Sequence, residues 1–399
     1  MNKLLQVFIL LLTNIFGFNA LIGQNIWKIE SAISDNSVLI SDSFSAVSIR
    51  FNKNVKDLMV TINDHKYTLV ADEHIDFTVL SQSQLIIENS NQIKFNCSKT
   101  TKIEVIYQKV SLLPQKNIRA DVRAIDCELP PTIAPSFWRN GLANPKQNPL
   151  STTINHGIIH HSASGNGNVD YTNLVRNYYI QHTQVNGWDD IGYNYLIAAN
   201  GTIYIGRDKQ QLLVPDYHVL GAHFCGKNIN TFGVCLIGDY TLLRPSDTML
   251  ASLKKLMGYI FYKANILGLD STIHPLPNGN YLSNIAGHRQ GCATACPGDS
   301  TFAIINALRL DIENQRKKCF ELLKNDQKFE NEIEVKIGLE SINIHATKPV
   351  EYVIYTIDSK LISKSDKIEK DPIISIANLT QGFYIIVLNG ILAKQFLKF

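Results

Sequence analysis

Between Ala286 and Gly298 the chain reads Ala-Gly-His-Arg-Gln-Gly-Cys-Ala-Thr-Ala-Cys-Pro-Gly, which puts His288 and Cys296 on a loop closed by Pro297 and Gly298, with the lone hydroxyl of Thr294 between two alanines. Imidazole and thiolate are the ligands zinc prefers, and the best third donor is His160 in Ile158-Ile159-His160-His161-Ser162, where an apolar run meets polar residues at an expected strand end. Three such ligands leave one tetrahedral position open, the composition of a catalytic zinc site. A metal held that way polarises a carbonyl and lowers the pKa of water to about 7. Two other readings use the same residues: Cys292 and Cys296 as half of a closed four-ligand structural site, or no metal at all. Spacing does not decide among the three.

These residues need a scaffold. Ile154 to His160 is expected to be a strand presenting His160 at its end. Val169 to His182 has helical spacing at Val169, Leu174 and Tyr178, and Tyr193–Ala199 with Thr202–Ile205 reads as a hairpin turned at Asn200-Gly201. Thr231 to Ile237 supplies a buried strand. Ser246 can cap a helix with apolar positions Leu250, Leu253, Leu256, Met257, Ile260, Phe261 and Ala264, and Gly268 lies near its end. A last helix runs from about Ser300 to Leu323. Alternating strands and helices around one mixed sheet define a central α/β domain over 126–323.

The chain is long enough for several domains. Period-two runs such as Val47, Ile49, Phe51; Phe77, Val79; Ile93, Phe95, Cys97; and Ile103, Val105, Tyr107 predict a β-sandwich-like accessory domain over 24–125. The prolines at 130, 131, 135, 145 and 149 predict irregular chain leading into the central domain. Met1 to Gly23, with Lys3, an apolar run from Leu4 and small residues at Ala20 and Gly23, reads as a secretory signal peptide and hence a secreted or cell-surface protein; an uncleaved anchor is the alternative. No later stretch is apolar enough to span a bilayer. The net charge of +3 and the lack of a basic cluster interleaved with aromatics give no indication of nucleic acid. Of the 7 cysteines, Cys235 sits in a buried-strand pattern as a free core thiol, and Cys225 and Cys292 are expected to lie close, both in loops beside proposed site residues.

From about Trp138 to Asp311 the chain resembles the peptidoglycan recognition protein and type 2 N-acetylmuramoyl-L-alanine amidase family. The resemblance rests on six pieces in the family's order: Ile-Ile-His160-His161-Ser-Ala, Trp188-Asp-Asp-Ile-Gly-Tyr193-Asn-Tyr-Leu-Ile, Gly201-Thr-Ile-Tyr-Ile-Gly-Arg207, Gly221-Ala-His223, Gly233-Val-Cys-Leu-Ile-Gly-Asp239, and Gly287-His288-Arg through Thr294-Ala-Cys296-Pro-Gly. It implies zinc held by His160, His288 and Cys296, with Tyr193 contacting the catalytic water or oxyanion. Thr294 matches a position that is Thr in the animal recognition proteins and Lys in the phage branch. His223 and Arg207 would line the substrate groove, although each has a plainer reading: His223 bonding a loop, Arg207 fixing the hairpin. His161, alternating with His160, reads as structural. The expected activity is zinc-dependent cleavage of the amide between N-acetylmuramic acid and L-alanine, the alternative being peptidoglycan or muropeptide binding without turnover. Asp208-Lys209 replaces the Gly-Trp of diaminopimelate-selective relatives, so that preference does not carry over.

The charged run 324–334 reads as a linker, and 335–399 returns to strands as a β-sandwich-like tail. Asn378-Leu-Thr-Gln-Gly-Phe-Tyr384-Ile-Ile with the ending Lys394-Gln-Phe-Leu-Lys-Phe399 resembles the sorting domain of type IX secretion cargo, which implies secretion machinery as a partner. The opening Pro-Asn-Pro is missing, and a wall-binding sandwich is the competing reading.

Overall fold

The computed structural model describes residues 20–23, 26–33, 37–52, 54–55, 58–69, 71, 80–96, 101–111, 113, 127–274, 281–331, 333–356, 361–365, 370–388 and 392–398. It divides into two compact units, Met1–Arg316 and Lys317–Phe399. The expected signal peptide lies outside the described residues except for Ala20–Gly23, a short strand. Phe77, Val79 and Cys97 also lie outside them.

The period-two runs of the N-terminal region become two antiparallel sheets. One has the order Ala20–Gly23, Ile26–Ile33, Thr101–Gln108, Ala46–Asn52, Leu80–Gln82; the other Ser37–Phe44, Ser90–Asn96, Met59–Ile62, His65–Thr68. Val47, Ile49, Ile103 and Val105 of the first meet Val60, Ile62, Ile93 and Phe95 of the second in one core. Each fully buried side chain of this size contributes roughly 1.5–3 kcal/mol.

This region is docked on the central one through buried polar groups. Asn177 Oδ1 accepts from Ser45 Oγ at 2.9 Å and from Gln108 Nε2 at 2.9 Å, and Gln108 Nε2 also reaches the Asn177 carbonyl at 2.8 Å. The fully buried Arg176 donates to the carbonyls of Trp138 and Asn140 at 2.7 and 2.8 Å and to Ser111 Oγ at 3.1 Å. Ala46 and Leu85 share an apolar cluster with Leu174, Val175 and Tyr178.

The central sheet has the order Thr132–Ile133, Ile203–Ile205, Tyr195–Ile197, Thr231–Leu236, His156–His161, Ile285–Gly287, parallel except where Tyr195–Ile197 pairs with Ile203–Ile205. Alternation sends Val234 and Leu236 to one face, against Met249, Leu253, Met257 and Ile260 of the helix Asp247–Lys263 and against Leu308 and Ile312. Cys235 and Ile237 go to the other face, against Leu174 and Tyr178 of the helix Tyr171–Ile180. Ser246 caps its helix as expected, accepting from Met249 N at 3.2 Å. Gly201, with φ +85°, turns the hairpin.

One expectation needs correcting. The run read as a linker from 324 is helical as far as Asn331, in the helix Ile305–Asn331. Lys, Glu and Gln are good helix formers, and no Pro or Gly interrupts them, so high charge alone did not mark an end.

In the C-terminal unit Ile333–Ile337, Ser341–Ala346 and Ile373–Ser375 form one sheet, and Leu361–Lys364, Tyr352–Thr356, Gly382–Leu388 and Leu392–Lys398 the other. Ile342, Ile344, Ile354, Ile374, Ile386 and Phe396 share their core. No helix among the described residues is long and apolar enough to cross a membrane.

Candidate metal centre

The strand His156–His161 is buried along its whole length, with parallel neighbours on both sides. Its register pairs Ile159 with Gly287, so His160 and His288, the latter one residue past the end of Ile285–Gly287, lie side by side at the carboxyl end of the sheet, where open α/β sheets place their ligands. The two imidazole centroids are 4.5 Å apart.

Cys296 returns to them because its loop is pinned. Arg289 N donates to the Cys296 carbonyl at 2.9 Å, Cys292 N to the His288 carbonyl at 3.2 Å, and Lys227 Nζ to the Gly291 carbonyl at 3.0 Å. Cys225 and Cys292 form a disulfide with their Cα atoms 6.3 Å apart. That bond occupies the Cys292 sulfur and removes the reading of Cys292 and Cys296 as joint ligands of a closed four-ligand site. Neither Cys296 nor Cys235 is in a disulfide.

One donor atom from each of His160, His288 and Cys296 lies within 4.8 Å of the others, and all three residues are buried. Cys296 Sγ is 3.7 Å from His160 Nδ1. Tetrahedral zinc with Zn–N of about 2.05 Å and Zn–S of about 2.3 Å puts N and S about 3.6 Å apart, so this donor pair fits zinc. His161 N donates to Cys296 Sγ at 3.3 Å, which favours the thiolate. The His161 ring itself accepts from Tyr240 N at 3.2 Å, a structural role as expected.

His223, expected on a groove wall, is 1% exposed, and its Nδ1 lies 3.0 Å from His160 Nε2. One proton assignment satisfies the whole chain of partners. Thr231 Oγ1 donates to the Asn228 carbonyl at 2.8 Å and accepts from His223 Nε2 at 3.4 Å, leaving His223 Nδ1 to accept from His160 Nε2. His160 Nδ1 then turns a lone pair toward Cys296. Such a partner fixes the tautomer and orientation of a ligating imidazole. Two glycines make room for it: a Cβ at Gly221 would stand 2.4 Å from His223 Cδ2, and one at Gly233 2.5 Å from His223 Cγ. Both glycines stand in the quoted motifs, but their shared purpose appears only when the segments meet.

Tyr193 is 6% exposed with its ring 5.3 Å from that of His160. Burial pushes the Cys235 thiol up, and a hydrogen bond from Tyr193 acts against that. The loop carrying Tyr193 is held by His182, which stacks on Trp188 at 4.7 Å and accepts from Gly192 N at 3.1 Å. Asn194, which sequence reading passed over, ties three segments: its Nδ2 donates to the Val219 carbonyl at 2.7 Å and its Oδ1 accepts from Gly233 N at 2.9 Å. Arg207 donates to the carbonyl of Ile191 at 3.0 Å, so it braces the Tyr193 loop. Beneath it the Asp190 carboxyl is pushed up to about 6 by burial, with Arg207 opposing. Asp208 pairs with Arg139 at 2.7 Å. Thr294 Oγ1 accepts from Cys296 N at 2.8 Å, closing the turn before the sulfur.

Residues 150–299 match the N-acetylmuramoyl-L-alanine amidase family Amidase_2, so the central domain is similar to that family. Over 124 residues the chain is 33% identical to an N-acetylmuramoyl-L-alanine amidase of Sus scrofa, a match covering 31% of this chain and 17% of that protein. Over 153 residues it is 32% identical to peptidoglycan-recognition protein LB of Drosophila melanogaster, covering 38% of this chain and 57% of the relative. The solved structure of wild-type Drosophila PGRP-LB aligns at 30% identity over 44% of this chain and 92% of that one, with a TM-score of 0.35. The chain thus spans only part of the curated relatives' length, and it is homologous to both peptidoglycan amidases and recognition proteins.

Proposed function

We propose that the chain is a secreted zinc-dependent N-acetylmuramoyl-L-alanine amidase that hydrolyses the lactyl amide between N-acetylmuramic acid and L-alanine. The observation that carries this reading is the buried set of two imidazoles and one thiol, with Cys296 Sγ 3.7 Å from His160 Nδ1. In this reading His160, His288 and Cys296 hold the ion, and His223 orients His160. A zinc ion there supplies Lewis acidity, polarising the carbonyl and lowering the pKa of water to about 7. Thr294 holds the attacking water by hydrogen bond. As the water oxygen bonds to the lactyl carbon, the Tyr193 hydroxyl turns from Cys235 and donates its hydrogen bond to the developing oxyanion. When the C–N bond breaks, a proton from the attacking water passes by way of the Tyr193 hydroxyl to the departing amine of L-alanine. We carry a secretion-sorting role for the C-terminal strands as part of the same proposal, resting on the resemblance alone.

The test is zinc stoichiometry of the purified chain together with release of new L-alanine amino termini from purified sacculi, with and without a chelator. Stoichiometric zinc and chelator-sensitive release are expected. Sacculus binding with no release at any zinc concentration would replace the enzyme by a recognition protein.

A further inference from the structure

A cleft of about 810 Å³ lies between the N-terminal sheets and the central domain. That volume falls in the range of ligand sites, about 300–1,000 Å³. The N-terminal wall carries Lys66, Tyr67 and Glu88; the opposite wall carries Ser164, Asn168 and Asp239. The buried seam at Ser45, Gln108 and Asn177 fixes the two walls relative to each other, so the cleft is a built feature of one compact unit.

Its central-domain wall follows directly in the chain on the strand His156–His161. Ala163, on its wall, is three residues beyond His160, and the Asp239 carboxylate stands 3.7 Å from His161 Nδ1. Its chemistry suits a neutral, hydroxyl-rich ligand. Tyr67 is half-buried, and its hydroxyl donates to Glu88 at 2.6 Å, which steadies an aromatic surface beside a carboxylate. Leu85 and Ile87 add apolar lining. A pyranose ring offers an apolar face to such a surface and hydroxyls to amide and carboxylate groups. Glu88 and Asp239 stand against Lys66 and against His65, whose Nδ1 is 2.9 Å from Glu88, so the lining holds no surplus of cations for the carboxylates of a stem peptide.

We propose that this cleft binds the glycan strand of peptidoglycan on the sugar side of the scissile amide, so that the N-terminal region is a substrate-binding element for polymer. The proposal rests on the amidase reading for its substrate. The experiment uses the full chain, a soluble tetramer of N-acetylglucosamine as a calorimetric probe, and amine release from sacculi compared with a disaccharide-peptide monomer. The variants are Tyr67→Ala and Gly167→Trp. Gly167 is exposed on the cleft lining and an added Cβ there meets nothing within 4 Å, so the fold accepts the indole while the cleft does not.

Wild type is expected to bind the tetramer, and each variant to bind it about ten-fold or more weakly, as loss of a good stacking or hydrogen-bonding contact does. The ratio of kcat/KM on sacculi to that on the monomer should fall in parallel. No tetramer binding by wild type, or binding and sacculus turnover unaltered in a folded Gly167→Trp protein, would overturn the proposal; so would displacement of the tetramer by a free stem peptide. If wild type releases amines from neither substrate, the amidase reading fails, and the tetramer titration still decides the cleft.

Discussion

Replacing Gly233 by Ala should disable the metal centre without touching a ligand. The new Cβ would stand 2.5 Å from His223 Cγ, 2.6 Å from Cδ2 and 2.7 Å from Nδ1. Carbon atoms pack at about 3.5–4.0 Å, so the ring must retreat by about 1 Å. The 3.0 Å contact to His160 Nε2 then opens past hydrogen-bonding distance. His160 loses the partner that fixes its tautomer, a change that costs about 10–100-fold in metal affinity. Overpacking a strand buried on both faces adds roughly 1–3 kcal/mol of destabilisation. Zinc affinity would be measured at pH 7 by competition with a chromophoric chelator, and stability by thermal unfolding of the metal-free protein. The double variant Gly233→Ala/His223→Ala relieves the clash without restoring the hydrogen bond. It should regain stability and not affinity. A folded Gly233→Ala protein whose zinc affinity stays within about two-fold of wild type would refute the reasoning, since a lost orienting partner costs about ten-fold at least.

Cys296→Ser should abolish stoichiometric zinc and amine release while the far-UV spectrum stays native, because an alcohol is a far poorer ligand than a thiolate; retained zinc would remove Cys296 from the site. Tyr193→Phe should lower kcat by about 100-fold, the cost of one oxyanion donor, with KM and zinc content little changed; an unchanged kcat would exclude the hydroxyl from the chemistry. His156 is fully buried against His274, and burial followed by the His274 charge lowers its pKa from 6.5 to about 4. The unfolded chain therefore binds the proton first as pH falls, so this histidine's contribution is intact above pH 6.5 and is lost progressively toward pH 4, by about 3 kcal/mol in all. Thermal midpoints recorded across that window should fall with acid in wild type and more shallowly in His156→Gln; equal slopes would disprove the assignment.

What could be read from the residues alone was the part governed by local pattern. His160 follows an apolar run at a strand end, Ser246 precedes a periodic helix, and Asn200-Gly201 separates two short strands, each a signal confined to a few neighbours. His223 reads from sequence either as lining a groove or as bonding a loop, and nothing near it in the chain says that Gly221 and Gly233 hollow out a slot for it behind His160. The helix Ile305–Asn331 continues through the charged residues after Lys324 because high charge does not end a helix of good helix formers. The docking of Ser45 and Gln108 on Asn177 joins residues 132 and 69 positions apart, a separation over which no periodicity carries information.

Asn177 has a consequence for how this protein can be dismantled. A fragment beginning near residue 150 would keep every candidate ligand and yet lay bare the Asn177 amide and the Arg176 guanidinium, whose partners Ser45, Gln108, Ser111, Trp138 and Asn140 it lacks. The N-terminal β region is thus part of the same compact unit as the central domain. An exchange of modules during descent would have had to carry both pieces across together, or remake the seam residue by residue.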